Sequence, residues 1–194
     1  MIRILIVCSA NICRSPYGAA LFHSGAVLRG LDVSVLTAGT DALEGDSICR
    51  LAGARLGEIE ATHSSRPLRA DLIAESDLVL TAEQRHRAVT VTMLPRAHAK
   101  VFTLLEAASL ATFVEQVGPQ ESFESWMQSM AAARGLATGN QRAPGRWRNH
   151  SLRPDRLDIL DGHGSGKRVH GRALDLVAQA TERLLDTLPG QHPR

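Results

Sequence analysis

The chain has 194 residues, 44% of them apolar and 22% charged, with a formal net charge of +2. That length suits one well-buried domain, and the balance is that of a globular protein with no strong electrostatic bias toward nucleic acid or membrane. Three cysteines are too few and odd in number for a disulfide framework, and no stretch is long and apolar enough to span a bilayer, which together favour a reducing, cytoplasmic setting.

Ile2 to Val7 is apolar and β-branched apart from Arg3, the pattern of a strand buried on both faces of a parallel sheet. It is too short for a signal-peptide core and runs straight into Cys8-Ser9-Ala10-Asn11-Ile12-Cys13-Arg14-Ser15-Pro16. Ser15 as N-cap and Pro16 in the first turn open a helix to about Arg29, and Gly30 ends it. Val33 to Thr37 forms a second strand with Ala38-Gly39-Thr40 as a turn, and Ser47 to Leu56 a helix with Gly57 as C-cap. Ala70 to Glu75 is a short helix, Asp77 to Thr81 a third strand, and Ala82 to Leu94 a helix stopped by Pro95. Lys100 to Leu104 is the fourth strand. A final helix runs from about Val169 to Leu188. Alternating strands and helices predict an α/β fold, a four-stranded parallel sheet with helices on both faces; with strands 2 and 3 on opposite sides of strand 1 the order is 2-1-3-4, which puts the Cys8 loop at the switch point after strand 1.

A cysteine, five residues and then an arginine, between a strand and a helix, suits attack on phosphorus. The loop turns backbone N–H groups onto a tetrahedral oxyanion, and Arg14 clamps two oxygens with its planar fork. Only the thiolate is a nucleophile, and loop N–H groups, helix end, Ser15 hydroxyl and Arg14 all favour that anion. The plain alternative is Cys8 as a small buried hydrophobe.

This run resembles the signature of the low-molecular-weight protein tyrosine phosphatase family, Cys-x-Gly-Asn-x-Cys-Arg-Ser-Pro, with Ala10 in place of the usual glycine. Thr37-Ala38-Gly39-Thr40 and His63-Ser64-Ser65-Arg66-Pro67-Leu68 resemble two further family segments. The resemblance implies a phosphate-binding loop of Ser9, Ala10, Asn11, Ile12, Cys13, Arg14 and Ser15. It also implies a supporting network of Asn11, Ser15, Thr37 and His63, against Thr37 as a plain strand end and His63 as a solvated loop histidine. Because Ala10 carries a Cβ, the loop must avoid positive φ there or bear strain.

Leu157-Asp158-Ile159-Leu160-Asp161-Gly162-His163-Gly164 resembles the family's acid loop, Asp-x-x-Asp-Pro-aromatic-Gly. That registers Asp161 as general acid and Asp158 as a structural aspartate, with Gly162 and His163 replacing proline and the aromatic residue. The competing reading of Asp161 is an Asx-turn ahead of Gly162. Cys8, Arg14 and Asp161 are thus the candidate catalytic set for ping-pong hydrolysis through a phosphocysteine, with no cofactor and no metal. The histidines at 63, 86, 98, 150, 163 and 170 show no ligand spacing. By family likeness Cys13 can form a reversible disulfide with Cys8. Cys49 is expected to face the core of its helix, with no nearby cysteine partner.

The whole chain, 1–194, reads as a single phosphatase domain with an insertion at about 118–156. The insertion carries an amphipathic stretch from Glu121 to Ala133, then Arg142, Arg146, Trp147, Arg148, Arg153 and Arg156. It is either a solvated surface loop or a lid in which Trp126 or Trp147 supplies an aromatic wall. The leading function is a protein tyrosine phosphatase, since Ile12 stands where such enzymes carry a bulky aliphatic residue. Arginine phosphatases of similar fold tend to carry threonine there, and form the second reading. A thiol-coupled arsenate reductase and a catalytically weak phosphate-binding regulatory module follow. The implied partners are a phosphotyrosine protein, with a bacterial tyrosine kinase as one candidate, and inorganic phosphate as product and inhibitor. A Walker-type run is absent, and nucleic-acid and membrane partners are not expected.

Overall fold

A computed structural model describes residues 1–57, 59, 62–117, 122–138 and 157–189. Four parallel strands, β1 (Ile2–Cys8), β2 (Val33–Gly39), β3 (Leu78–Thr81) and β4 (Val101–Thr103), form one sheet in the order β2-β1-β3-β4, as expected. Central β1 pairs with β2 from Ile2↔Val33 to Cys8↔Gly39 and with β3 from Ile4↔Leu78 to Val7↔Thr81. Its alternating side chains feed two cores. Ile2, Ile4 and Ile6 point to one face with Leu78, Leu80 and Phe102, while Leu5 and Val7 point to the other with Val79, Val101 and Ile73. Arg3, the one exposed position, pairs with Asp77 at 3.2 Å.

The helices are α1 (Arg14–Leu28), α2 (Arg50–Leu56), α3 (Ala70–Glu75), α4 (Gln84–Met93), α5 (Leu104–Val117), α6 (Phe123–Thr138) and α7 (Lys167–Thr187), with a 3-10 turn over Pro95–Lys100. On the larger core face α7 packs against α1 and α5 through Ala173, Leu174, Val177, Ala180 and Leu184. That core is of the kind the sequence predicts from helical spacing. Helix α1 starts two residues earlier than expected, at Arg14 rather than Pro16, and buries Tyr17, Phe22 and Ala26, while Val27 is exposed. Helix α2 starts at Arg50 because Cys49 is extended, with φ −64° and ψ 145°.

Helix α5 is the element the sequence reading lacks. Its Ala107, Ala108, Leu110, Ala111 and Val114 are buried, so it has little polar face to set a helical period. Its start was nevertheless written in the chain. Thr103 and Glu106 form a reciprocal capping box, the Glu106 N–H donating to Thr103 Oγ1 and the Thr103 N–H to Glu106 Oε2, both at 3.2 Å.

The insertion is not a lid where it is described. Helix α6 packs on α5 and sends Trp126, Met130 and Ala133 into the main core; Trp126 is 1% exposed and stacks on Phe123. A buried indole cannot wall an open cleft, so that role for Trp126 is withdrawn. Trp147 and the insertion's arginines from Arg142 to Arg156 lie outside the described residues.

Candidate active site

The Cys8 loop leaves β1 at its carboxyl end and closes onto the first turn of α1. Asn11 is fully buried and takes positive φ, 56°, a region asparagine tolerates. Among the described residues it is the only non-glycine that does so, so Ala10 avoids the strained region and needs no glycine. The Asn11 amide ties the loop in two directions. Its Oδ1 accepts the Arg66 N–H at 3.0 Å and its Nδ2 donates to Ser15 Oγ at 2.8 Å. Ser15 Oγ, filled on one side by Asn11, lies 3.0 Å from Cys8 Sγ, which leaves its own hydrogen for the sulfur. This duty explains why Ser15 does not cap α1: the helix begins at Arg14 with Cys13 as N-cap.

His63 Nε2 lies 2.6 Å from the Asn11 carbonyl, and a carbonyl only accepts, so the Nε2–H tautomer donates. Burial pushes the His63 imidazole below its ordinary pKa against the raising effect of that bond, and nearby Arg66 lowers it further. His63, Asn11 and Ser15 form a chain of donors ending at Cys8. Thr37 does not join them. It is buried within β2, in register with Ile6, and the structure gives its side chain no hydrogen bond to these three. Gly39 is the tighter requirement at this strand end, since a Cβ there would fall on the Ser9 carbonyl and within 2.9 Å of the Asn11 nitrogen.

Arg14 is 3% exposed. Its Nη1 donates to Glu83 Oε1 at 2.5 Å and to the Ile159 carbonyl at 2.8 Å, and its Nη2 donates to Ser9 Oγ at 3.1 Å and pairs with Asp161 Oδ2 at 3.0 Å. Its Nε is buried without a partner. Burial acts to raise the Glu83 carboxyl, but hydrogen bonds from Arg85 and Arg14 and the Arg14 charge outweigh it and hold the carboxyl below its usual value. Glu83, Arg85 and His86 are the site residues that sequence reasoning missed; an acidic residue two positions past the carboxyl end of the expected third strand was the available signal. His86 is buried, accepts the Glu83 N–H on Nδ1 and therefore presents Nε2–H to Ser9 Oγ at 3.0 Å. Desolvation, with Arg14 nearby, pushes its pKa down to about 4.

The acid loop is anchored at its start. Leu157 and Ile159 are buried, the Ile159 N–H donates to the Ala82 carbonyl at 2.8 Å, and Asp158 Oδ1 accepts the Gln84 N–H at 2.7 Å, capping α4. Asp158 therefore ties the acid loop to the start of α4. Asp161 makes both contacts that seemed to compete: Oδ1 accepts the His163 N–H at 2.9 Å, an Asx-type turn, while Oδ2 reaches Arg14. Cys8, Ala10, Ile12, Arg14, Asp161 and His163 line one small cleft, and Leu43 and Leu160 are exposed on the β2–α2 connection and the acid loop.

Two cysteine expectations are corrected. Cys13 is joined to Cys49, Cα atoms 5.4 Å apart, and Cys8 is free. Cys49 is buried in the main core, as expected, but it sits at the N-cap of α2, where its backbone N–H donates to the Ile12 carbonyl at 2.6 Å and its sulfur has a cysteine partner after all. The lack of ligand spacing among the histidines does not survive folding either. His163 Nδ1 lies 3.3 Å from Cys13 Sγ, and His170 Nε2 lies 3.6 Å from Cys49 Sγ.

A family model for low molecular weight phosphotyrosine protein phosphatases matches residues 3–116. The chain belongs to that family. The match takes in the sheet, the Cys8 loop and the His63 segment and ends before the acid loop. Over 105 residues, 53% of this chain and 70% of the relative, the protein is 39% identical to a protein-arginine-phosphatase of Bacillus subtilis. Over 106 residues, 51% and 66% of the two chains, it is 35% identical to the low molecular weight protein-tyrosine-phosphatase Wzb of Salmonella typhi. The solved YwlE arginine phosphatase from Geobacillus stearothermophilus superposes with a TM-score of 0.63 at 27% identity, covering 96% of this chain and 92% of that one.

Proposed function

We propose that this phosphatase-family protein hydrolyses phosphotyrosine in proteins through a phosphocysteine on Cys8, with Asp161 as general acid. The observation that carries this reading is the convergence on one cleft of the Cys8 sulfur, the unpartnered Arg14 Nε and the Asp161 carboxylate. Cys8 attacks phosphorus in line while Arg14 Nε and Nη2 take equatorial oxygens. An entering phosphate displaces Asp161 from Arg14 and leaves that carboxylate at the mouth of the cleft, where it takes a proton from solvent, gives it to the leaving phenolate and later accepts one from the hydrolytic water. Glu83 and the Ile159 carbonyl hold Nη1, so Arg14 keeps its place while Nη2 changes partner.

A reducing, cytoplasmic setting would preserve the free Cys8 thiol. No helix among the described residues is long and apolar enough to cross a membrane. Tyrosine kinases remain candidate substrates on family likeness.

Phosphoarginine is the second reading, favoured by the names of the 39% identical relative and of the YwlE structure. Ile12 in the cleft favours tyrosine. Assays of wild type, Cys8→Ser and Asp161→Asn on p-nitrophenyl phosphate and on phosphotyrosine and phosphoarginine peptides separate these readings. The proposal expects kcat/KM highest for phosphotyrosine and no turnover without Cys8. Preference for phosphoarginine would move the assignment to the second reading, and turnover by Cys8→Ser would end both.

A further inference from the structure

We propose that Cys13, Cys49, His163 and His170 form a tetrahedral site for a divalent transition metal, zinc in the first instance, that pins the acid loop to the phosphate loop. These four side chains each offer one donor atom, and all four atoms lie within 4.8 Å of one another. Two thiolates and two imidazoles are a donor set that zinc favours. The two cysteine–histidine separations fit as well, and the sulfurs part when the disulfide is reduced. With Zn–S of about 2.3 Å and Zn–N of about 2.05 Å, a regular tetrahedron has S···N edges of about 3.6 Å. The observed separations are 3.3 Å for Cys13 Sγ to His163 Nδ1 and 3.6 Å for Cys49 Sγ to His170 Nε2. Cys13, Cys49 and His170 are buried and His163 stands at the rim, so an ion has a way in and a largely dry seat. Four protein ligands complete the coordination shell, which makes the site structural, with no position left for a reacting water.

The acid loop's two departures from its family acquire a reason. A Cβ at Gly162 would fall on the His170 Cα, lie 2.8 Å from the His170 nitrogen and 3.1 Å from the Val169 carbonyl carbon, all backbone atoms. Glycine therefore lets the loop lie directly on α7, and His163, in the aromatic residue's place, meets His170 edge to face with ring centroids 5.6 Å apart. The four ligands come from the phosphate loop, the N-cap of α2, the acid loop and α7. An ion there fixes the position of Asp161, two residues from His163, without touching substrate.

The disulfide between Cys13 and Cys49 and the metal exclude each other. A dithiol reductant supplies two electrons, itself becoming a disulfide, and two protons that yield two cysteine thiols. Metal binding then releases both thiol protons, and the imidazoles bind neutral. This site does not depend on which phosphorylated side chain is hydrolysed.

The test uses the full chain, reduced with dithiothreitol, desalted without oxygen and titrated with Co²⁺. The expected result is a thiolate-to-cobalt charge-transfer band with tetrahedral ligand-field bands, saturating at one equivalent and bleached by Zn²⁺. Cys49→Ser, His163→Ala and His170→Ala should each weaken binding at least about 100-fold, because loss of even an outer-shell partner costs 10–100-fold. Cys8→Ser should bind as wild type, and Zn²⁺ should raise the melting midpoint of wild type but not of His163→Ala. His163 is exposed, so that variant decides the matter if the buried ones fail to fold. No stoichiometric uptake, an unchanged spectrum and affinity in His163→Ala, or loss of the band in Cys8→Ser would each overturn the site.

Discussion

Across residues 8–15 the loop is shaped largely by its own side chains: Asn11 takes the left-handed turn, its amide grips Ser15, and Ser15 meets the Cys8 sulfur. Across residues 157–166 the shape comes from outside, through the Ala82 carbonyl, the α4 N-terminus, Arg14 and the first turn of α7. A contiguous run whose own side chains set its turn and grip its sulfur needs only bracing from outside, which His63, Arg66 and Cys49 give to Asn11 and Ile12. A loop assembled from distant elements is only as well placed as those elements, which is where a family can vary without losing its phosphate grip.

The largest expected effect strikes the first region. Cys8→Ser should lower kcat/KM on p-nitrophenyl phosphate by at least about 10³-fold, in line with loss of a nucleophile elsewhere. Its melting midpoint should stay close to wild type, because a serine hydroxyl can keep the contact with Ser15. A large loss of stability would show that the loop's shape depends on sulfur more than on Asn11.

Asp161→Asn probes the second region and should lower kcat on aryl phosphates by about 10²–10³-fold, the usual share of a positioned acid. The same change should tighten inhibition by inorganic phosphate, since Asp161 occupies Arg14 Nη2 at 3.0 Å and repels an incoming anion. Weaker phosphate binding in this variant would show that the carboxylate does not compete for the arginine.

Gly162→Ala sharpens the contrast further. The added Cβ meets α7 backbone, which cannot yield as a flexible side chain would, so the acid loop must shift. Overpacking of this kind costs about 1–3 kcal/mol. We expect kcat to fall about tenfold, as for small misplacements of a catalytic group, with phosphate inhibition nearly unchanged. Equal losses in both constants would mean that the two loops move as one body.

The same contrast explains what could be read from the sequence. Cys8 to Ser15 is eight consecutive residues between a recognisable strand and helix, so its chemistry and its place at the sheet's switch point were legible. The parallel sheet followed from alternation, its order from placing strands 2 and 3 on opposite sides of strand 1, and the His63 partnership from family likeness. Thr37 was misplaced because strand-end likeness cannot say which way a side chain turns. Glu83 and His86 stayed hidden because their role depends on the β3–α4 connection passing beneath Arg14. Cys13, Cys49, His163 and His170 lie up to 157 residues apart in numbering, so local ligand spacing had nothing to detect. Helix α5, by contrast, was missed although Thr103 and Glu106 announced it.

The smallest expected effect concerns the floor beneath the phosphate loop. Neutral His86 donates to Ser9 Oγ and accepts from the Glu83 backbone, and protonation would cost Nδ1 its acceptor role beside Arg14. Its pKa falls from 6.5 in the unfolded chain to about 4 in the folded one, chiefly by desolvation. Between those values the unfolded chain binds more protons than the folded one, so stability declines as pH drops from about 6.5 toward 4 and this contribution then levels off. Glu83 adds a loss at lower pH, because its depressed carboxyl contributes stability above its ordinary value of 4.5 that disappears as pH falls through the folded value. In His86→Gln the amide can replace both hydrogen bonds without titrating. Melting midpoints from pH 7 to 4.5 should therefore fall less steeply in that variant than in wild type, and parallel curves would remove His86 as the titrating group.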